Sequence, residues 1–342
     1  MQAVVFKQEG QFSVEDRPIP TIKNDDEVLL KVLAASICGT DVHILASPPG
    51  HPATEGKILG HEYVAEIVAI GSRVENVKVG DRVCIDPNLT CGGFCSSCKN
   101  GMPNLCEHVI TYGIFEDGGF AAFNVVPARM IYPISHDVPV ELAALVEPLS
   151  CVVNGCDKIN VQPGQSVVVL GAGPMGQLFI QMVKAAGASK IICVDLSDYR
   201  LDIAIKSGAT HTVSPNKNDI REFILKETAL GVDVVIDCVG SLFDQAVSLV
   251  RPGGQVLLLG LNSHALPAVK QYDITKNEIS VKGTFISKFS FAKAIHIVES
   301  GLLNLEQLIT HRLPMDRIGD GIMAMRKGEA LKVIIYPLDH EE

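Results

Sequence analysis

Two groups of metal-ligating residues stand in the first third of the chain. The tighter is Cys91-x3-Cys95-x2-Cys98-x7-Cys106, four thiols within sixteen residues of a loop rich in Gly, Ser, Lys and Asn. That density suits a closed tetrahedral zinc site, which staples a loop and leaves no position open for chemistry. The looser group is split between Cys38-Gly39-Thr40-Asp41-Val42-His43 and Gly60-His61-Glu62. Cys, His and carboxylate are the ligands of catalytic zinc, where three protein donors leave a fourth position for water or substrate. A lone Cys or His is more often a packed core residue. Two such loops upstream of a nucleotide-binding motif favour the metal. A further carboxylate, Glu147, interrupts the apolar run Ala143-Ala144-Leu145-Val146 before Pro148-Leu149-Ser150 and is a candidate ligand or ligand support.

A second kind of chemistry is written in Gly171-Ala172-Gly173-Pro174-Met175-Gly176, which follows the apolar run Val167–Leu170 and opens a helix-like segment, Gln177 to Ala186. In a strand–turn–helix setting, the first glycine allows the tight turn and the second admits a pyrophosphate against the backbone. The third lets helix and strand pack closely. The helix N-terminus offers free N–H groups to the phosphates. Nineteen residues beyond Gly176, the run Lys190–Val194 ends at Asp195. A carboxylate there bonds a ribose 2′-OH and repels a 2′-phosphate, which predicts NAD over NADP.

These residues must be positioned by two different kinds of scaffold. Residues 1–150 carry short β-like runs, Val28–Val32, Val64–Ile70 and Arg82–Asp86, separated by Gly, Pro and Asp turns. From residue 151 to 285 strand and helix alternate. Helices are expected at Asp198–Ser207, Asp219–Ala229 and Phe243–Val250, and strands at Thr210–Val213, Val232–Asp237 and Gln255–Leu259. The expected fold class is therefore α/β: a β-rich domain at 1–150, with a zinc lobe at 91–106, and a doubly wound parallel-sheet Rossmann domain at 151–285. Cys238, Val239, Gly260 and Leu261 follow strands at the carboxyl edge, where ligands bind in such sheets. A terminal segment, 286–342, contains an amphipathic helix at Lys288–Ser300 and a β-like run at Lys332–Tyr336.

Composition narrows the field. The chain has 342 residues, 47% hydrophobic, enough for two sizeable cores. A net charge of −10 without a polybasic stretch argues against nucleic acid and anionic membranes as partners. No secretory signal or apolar run of about 20 residues is present, so a cytoplasmic protein is expected. Ten cysteines in that setting are expected to be reduced.

Together, these residues in this order resemble the zinc-dependent medium-chain alcohol dehydrogenase family over nearly the whole chain. Gly60-His61-Glu62-x2-Ala65-x5-Gly71 is similar to that family's zinc signature, with Ala65 where glycine is usual. The cysteine lobe has three residues, not two, between its first two cysteines. Glu147-Pro148-Leu149-Ser150 resembles the polyol branch, which includes sorbitol dehydrogenase. The resemblance implies a GroES-like catalytic domain, to which 286–342 returns, and two zincs per chain. Cys38 and His61 would be catalytic ligands, completed by Glu62 or Glu147, and Cys91, Cys95, Cys98 and Cys106 would hold the structural ion. Asp41 would orient His61 through its other ring nitrogen. Thr40 would take the substrate proton and His43 pass it on, and Arg200 would lie over the adenine. The implied reaction is oxidation of a secondary alcohol of a polyol or sugar-derived substrate to a ketone, by hydride transfer to NAD, in a dimer or tetramer. Butanediol, threonine and sugar phosphates are alternative substrates. Sorbitol dehydrogenases carry an Arg-Tyr pair where this chain has Ile286-Ser287, so a different substrate pocket is expected. A non-enzymatic zinc- or nucleotide-binding protein is the rival reading. The presence of Cys38, Thr40 and His61 speaks against it.

Overall fold

Alternating burial along the strand Glu27–Ser36, with Val28, Leu30, Val32 and Ala34 inside, shows how the catalytic residues are anchored. This strand lies central in a sheet ordered Ile309–Pro314, Lys332–Tyr336, Glu27–Ser36, Glu62–Ile70, Arg82–Ile85 and Ile131–Pro133. Phe123–Pro127 also pairs with it. Its register sets Ser36 opposite Glu62 on one side and Ile334 on the other. Three distant pieces of sequence therefore meet at one end of one sheet. Beneath lies a core that includes Leu30, Tyr63, Ile67, Ile85 and Val333, all at most 1% exposed.

The computed structural model describes residues 1–8 and 10–338, so the last four residues of the expected 286–342 segment lie outside it. Two units divide the chain. Met1–Ser150, Ser287–Gly301 and the chain from Ile309 onward form one, while Cys151–Ile286 and Leu302–Leu308 form the other.

In the second unit six strands are ordered His211–Val213, Lys190–Val194, Ser166–Leu170, Val232–Asp237, Val250–Leu258 and Ser280–Gly283, all parallel. This is the doubly wound dinucleotide-binding order, whose direction reverses beside Ser166–Leu170. The runs Val167–Leu170 and Val234–Ile236 are fully buried, as strands covered by helices on both faces must be. Helices Pro174–Ala185, Asp198–Ser207 and Ile220–Thr228 supply the crossovers. Ser197 and Asp219 cap the last two by accepting from the Arg200 and Glu222 amides. The helices expected at 198–207, 219–229 and 243–250 and the strands expected at 210–213 and 232–237 lie within a residue of expectation. The helix expected from Gln177 begins three residues earlier, at Pro174, and the helix Gln271–Lys276 and the strand Ser280–Gly283 were not apparent from periodicity. The strand expected at Gln255 begins at Val250, which pairs with Val232; the register then shifts, with Gly253 turning at φ of 73°, before Gln255 pairs with Val234.

In the terminal segment the helix is Phe291–Glu299, shorter than the expected Lys288–Ser300. Left-handed backbone at Phe289, with φ of 52°, breaks the helical path just before it. A strand, Ile309–Pro314, and a helix, Ile318–Arg326, were not apparent from periodicity. Among the described residues, no helix is long and apolar enough to cross a membrane.

Candidate active site and metal centres

The donor atoms of Cys38, His61 and Glu62 lie within 4.8 Å of one another. Cys38 sits at the N-cap of the short helix Gly39–Ile44, where its amide donates to Asp41 Oδ2 at 2.9 Å. Asp41 Oδ1 lies 3.6 Å from His61 Nδ1, beyond hydrogen-bond distance, so the carboxylate that bonds the helix N-terminus also faces the imidazole. Gly60 holds His61 at the strand entrance with φ of 95°, and a side chain there would run into the Phe120 ring. Thr40 and His43 lie three residues apart on that helix, at neighbouring positions of its surface, with His43 exposed.

Among the described residues, Glu62 Oε1 and His61 Nδ1 are buried without a hydrogen-bond partner. A buried carboxylate oxygen without a partner is costly unless something positive stands before it. Burial, with the nearby charge of Glu62, pushes the Cys38 thiol well above its ordinary range. A divalent cation would reverse that preference and hold the thiolate. The donor set therefore fits zinc. Glu147 lies outside this trio, in the first turn of the helix Val146–Ile159. Burial and then the charge of Glu62 raise its carboxyl to about 7, which places it within electrostatic reach of the cluster. Burial likewise raises Asp41 to about 6, opposed by His61 and by the Cys38 amide.

No pattern along the chain singles out Lys332. The residue is 3% exposed, and its ammonium is bonded to Glu62 Oε2. Ser36 Oγ also donates to Glu62 Oε2 and accepts from Lys332 at 3.3 Å. Burial alone would lower the Lys332 pKa, but the charges of Glu62 and Cys38 outweigh it and raise the value. Glu62 thus commits one oxygen to a buried cation and leaves the other toward Cys38 and His61.

The four-cysteine lobe also fits a metal. Sγ atoms of Cys91 and Cys98 are 3.7 Å apart, and those of Cys95 and Cys106 are 3.8 Å apart. A tetrahedron with Zn–S near 2.3 Å has edges of roughly 3.8 Å. All four donors fall within 4.8 Å, Cys91 included. The additional residue before Cys95 is taken up by Gly92 and Gly93, at φ of 75° and 100°. Amides of Cys91, Cys95, Cys98 and His108 point at sulfur. The Cys95 amide in particular holds the Cys91 thiol down to about 6.

In the second unit the three motif glycines have three separate reasons. Gly171 turns at φ of 93°, a Cβ on Gly173 would meet open space, and a Cβ on Gly176 would strike the Gly171 carbonyl. Open space at Gly173, before a helix that begins at Pro174 and Met175, is the cradle a pyrophosphate requires. Asp195 Oδ2 accepts from the Ala172 amide at 2.7 Å, and Oδ1 accepts from Ser197 at 2.8 Å. Arg200 Nε is buried without a hydrogen-bond partner among the described residues. Gly240 and Gly260 pack backbone to backbone, and Val239 and Leu261 are exposed beside them, 44% and 73%. Cys238 donates its amide to Leu170 at the same edge. Asp237, also missed from the sequence, accepts from the Val239, Gly240 and Leu242 amides and so shapes this loop.

Comparison with known proteins agrees with this geometry. Residues 24–136 match the model of the alcohol dehydrogenase GroES-like domain, and residues 174–300 match that of zinc-binding dehydrogenases. A sorbitol dehydrogenase of Bacillus subtilis is 36% identical, over 98% of this chain and 97% of its own length. An L-threonine 3-dehydrogenase of Caldanaerobacter subterraneus is 35% identical, over 98% and 99%. A zinc-binding dehydrogenase of Sinorhizobium meliloti, solved with NADP bound, superposes with a TM-score of 0.93 at 34% identity, covering 98% of this chain and 99% of that one. With both domain models matched and full-length relatives above a third identical, the chain belongs to the zinc-dependent medium-chain alcohol and polyol dehydrogenases, enzymes that use a nicotinamide cofactor.

Proposed function

We propose that this enzyme oxidises a secondary hydroxyl of a polyol to a ketone, with NAD as hydride acceptor. The observation that carries the reading is the convergence of Cys38, His61 and Glu62, with Glu62 Oε1 buried and without a partner. These three residues would hold the catalytic zinc, and Glu147, whose carboxyl feels the charge of Glu62, would exchange for Glu62. Cys91, Cys95, Cys98 and Cys106 would hold a second, structural one. When bound, zinc supplies Lewis acidity that makes an alcohol hydroxyl acidic near neutral pH, and the nicotinamide accepts the hydride.

The chain's own residues do the rest. Asp41 faces the His61 ring, and Lys332 and Ser36 fix one oxygen of Glu62. Thr40 takes the hydroxyl proton, and exposed His43, one turn along the same helix, passes it outward. The preference for NAD rests on Asp195. Its carboxylate is locked between two backbone amides and cannot swing away from a 2′-phosphate. Asp195→Ala is expected to weaken NAD more than NADP, as measured by fluorescence titration of the reduced coenzymes. The polyol class rests on the Glu147-Pro148-Leu149-Ser150 segment and on the sorbitol dehydrogenase relative.

The test is a panel assay of zinc-loaded protein. Reduced-nicotinamide absorbance would be followed with NAD⁺ and NADP⁺ against pentitols, hexitols, their phosphates, aldonates, butanediol, threonine and simple alcohols. NAD-linked oxidation strongest on one polyol group is expected. Faster turnover of threonine or of a phosphate would reject the polyol reading.

A further inference from the structure

The first unit holds a cavity of about 160 Å³ whose walls include Asp86, Asn88, Arg129, Tyr132, Ser287 and Phe291. We infer that it is a subsite for the far end of an uncharged polyhydroxylated substrate. The inference rests on the alcohol-oxidation reading and goes beyond it by naming what selects the substrate.

Size comes first. A cavity of about 150 Å³ admits a ring of six carbons, so this one has room for several hydroxylated carbons. Its lining mixes polar and aromatic groups. Asp86 Oδ1 accepts from the Asn88 amide at 3.1 Å and from Asn88 Nδ2 at 3.2 Å, and Ser287 Oγ donates to Asp86 Oδ2 at 3.3 Å. A carboxylate has about four acceptor positions, so capacity remains for a substrate hydroxyl. Tyr132 and Phe291 stack with centroids 5.1 Å apart, giving an apolar wall for the C–H face of a polyol. Ser287 is brought there by an unusual turn. Ile286 and Phe289 flank it with φ of 40° and 52°, a region that β-branched and aromatic side chains avoid. Strained backbone is retained where surrounding structure demands it, often at ligand sites.

Charge then selects the guest. The cavity wall carries one carboxylate, Asp86, and one cation, Arg129, which is paired with Asp26 at 3.3 Å. With the Arg129 guanidinium occupied by Asp26, a phosphate or carboxylate would face the Asp86 charge, whereas a neutral hydroxyl can donate to it. Asp86 follows the strand Arg82–Ile85, whose antiparallel register sets Cys84 opposite Val64, so the cavity carboxylate leaves the sheet at the same end as Glu62.

The experiment compares zinc-loaded wild type, Asp86→Asn and Ser287→Ala with NAD⁺. The substrates are a pentitol, its phosphate, and 2-butanol, which lacks further hydroxyls. Selectivity for the pentitol over 2-butanol, as a ratio of kcat/KM, should fall about ten-fold or more in Asp86→Asn, chiefly through KM. Discrimination against the phosphate should narrow in the same variant. Ser287→Ala removes only a hydroxyl, so it carries the test if Asp86→Asn does not fold. Ratios within two-fold of wild type in the folded variants would overturn the subsite while leaving alcohol oxidation intact. If wild type oxidises no alcohol, the functional reading fails. The subsite is then judged by calorimetry of pentitol binding to zinc-loaded wild type and Asp86→Asn. Weaker binding by the variant supports it, and equal or absent binding overturns it.

Discussion

Replacing Lys332 by Met keeps most of the bulk of the side chain and removes its charge together with the hydrogen bonds it donates to Glu62 and Ser36. In the folded protein Lys332 is 3% exposed and Glu62 1%, so water cannot stand in for the lost partner. Glu62 would then hold a buried charge bonded only by Ser36. Removing one partner of a buried ion pair costs about 3–5 kcal/mol, because the remaining charge goes uncompensated. Lys332→Met should therefore destabilise the metal-free protein by about 3–5 kcal/mol. Adding Glu62→Gln removes the orphaned charge, so the double variant should recover roughly 2 kcal/mol or more of that loss. Urea denaturation of metal-free wild type, both single variants and the double variant, followed by circular dichroism, measures the coupling. The metal-free state matters, because a cation bound to freed Glu62 would mask part of the loss. A cost below about 1 kcal/mol for Lys332→Met, or a double variant as unstable as the sum of the singles, would refute the assignment of Lys332 as the charge partner of Glu62.

Two further outcomes follow from other parts of the molecule. Cys95→Ser should lower zinc content by one ion per chain by elemental analysis. It should also lower stability by about 3 kcal/mol or more, since lost metal sites belong to the large class of destabilisations. Unchanged zinc content would mean the lobe is not a metal site. Asp233 accepts from the Ser166 amide, Ser166 Oγ and Arg251 Nε at 2.7, 2.7 and 2.9 Å. Burial would raise its carboxyl, but these bonds outweigh it and hold it below its ordinary 3.8. Because the folded value is the lower one, the stabilisation is complete above 3.8 and is lost as pH falls through the folded value. Asp233→Asn should thus cost about 1–2 kcal/mol near neutral pH, with the gap to wild type closing in acid denaturation curves below that point.

The parts of the site legible in sequence are those whose partners are local. The cysteine lobe lies within one loop, and the glycine turn, its helix and Asp195 lie within one βαβ unit. His61 and Glu62 could be paired with Cys38 because ligand types are few and their loops distinctive. Lys332 could not be found this way. It heads a strand that otherwise reads as core, and it reaches Glu62 across 270 residues and Ser36 across 296. Register between strands, not pattern along one, creates that contact. Asp237 closes an apolar strand and looked like its end, whereas it gathers three amides of the following loop. Glu147 was conspicuous in its apolar run, but nothing local indicates that the Cys38, His61 and Glu62 donors converge without it. Helix Phe291–Glu299 starts late because Phe289 takes a backbone conformation that its residue type does not announce.

The central claim is that alcohol oxidation takes place at the Cys38, His61 and Glu62 cluster while the coenzyme is held by the other unit. His61→Ala in zinc-supplemented protein tests it most directly, with polyol turnover and NADH affinity measured on the same preparation. Turnover lost by at least about 10³-fold, with NADH affinity within a few-fold of wild type, is the predicted result. Turnover preserved in that variant would contradict the account, since no metal-ligand assignment built on His61 would survive it.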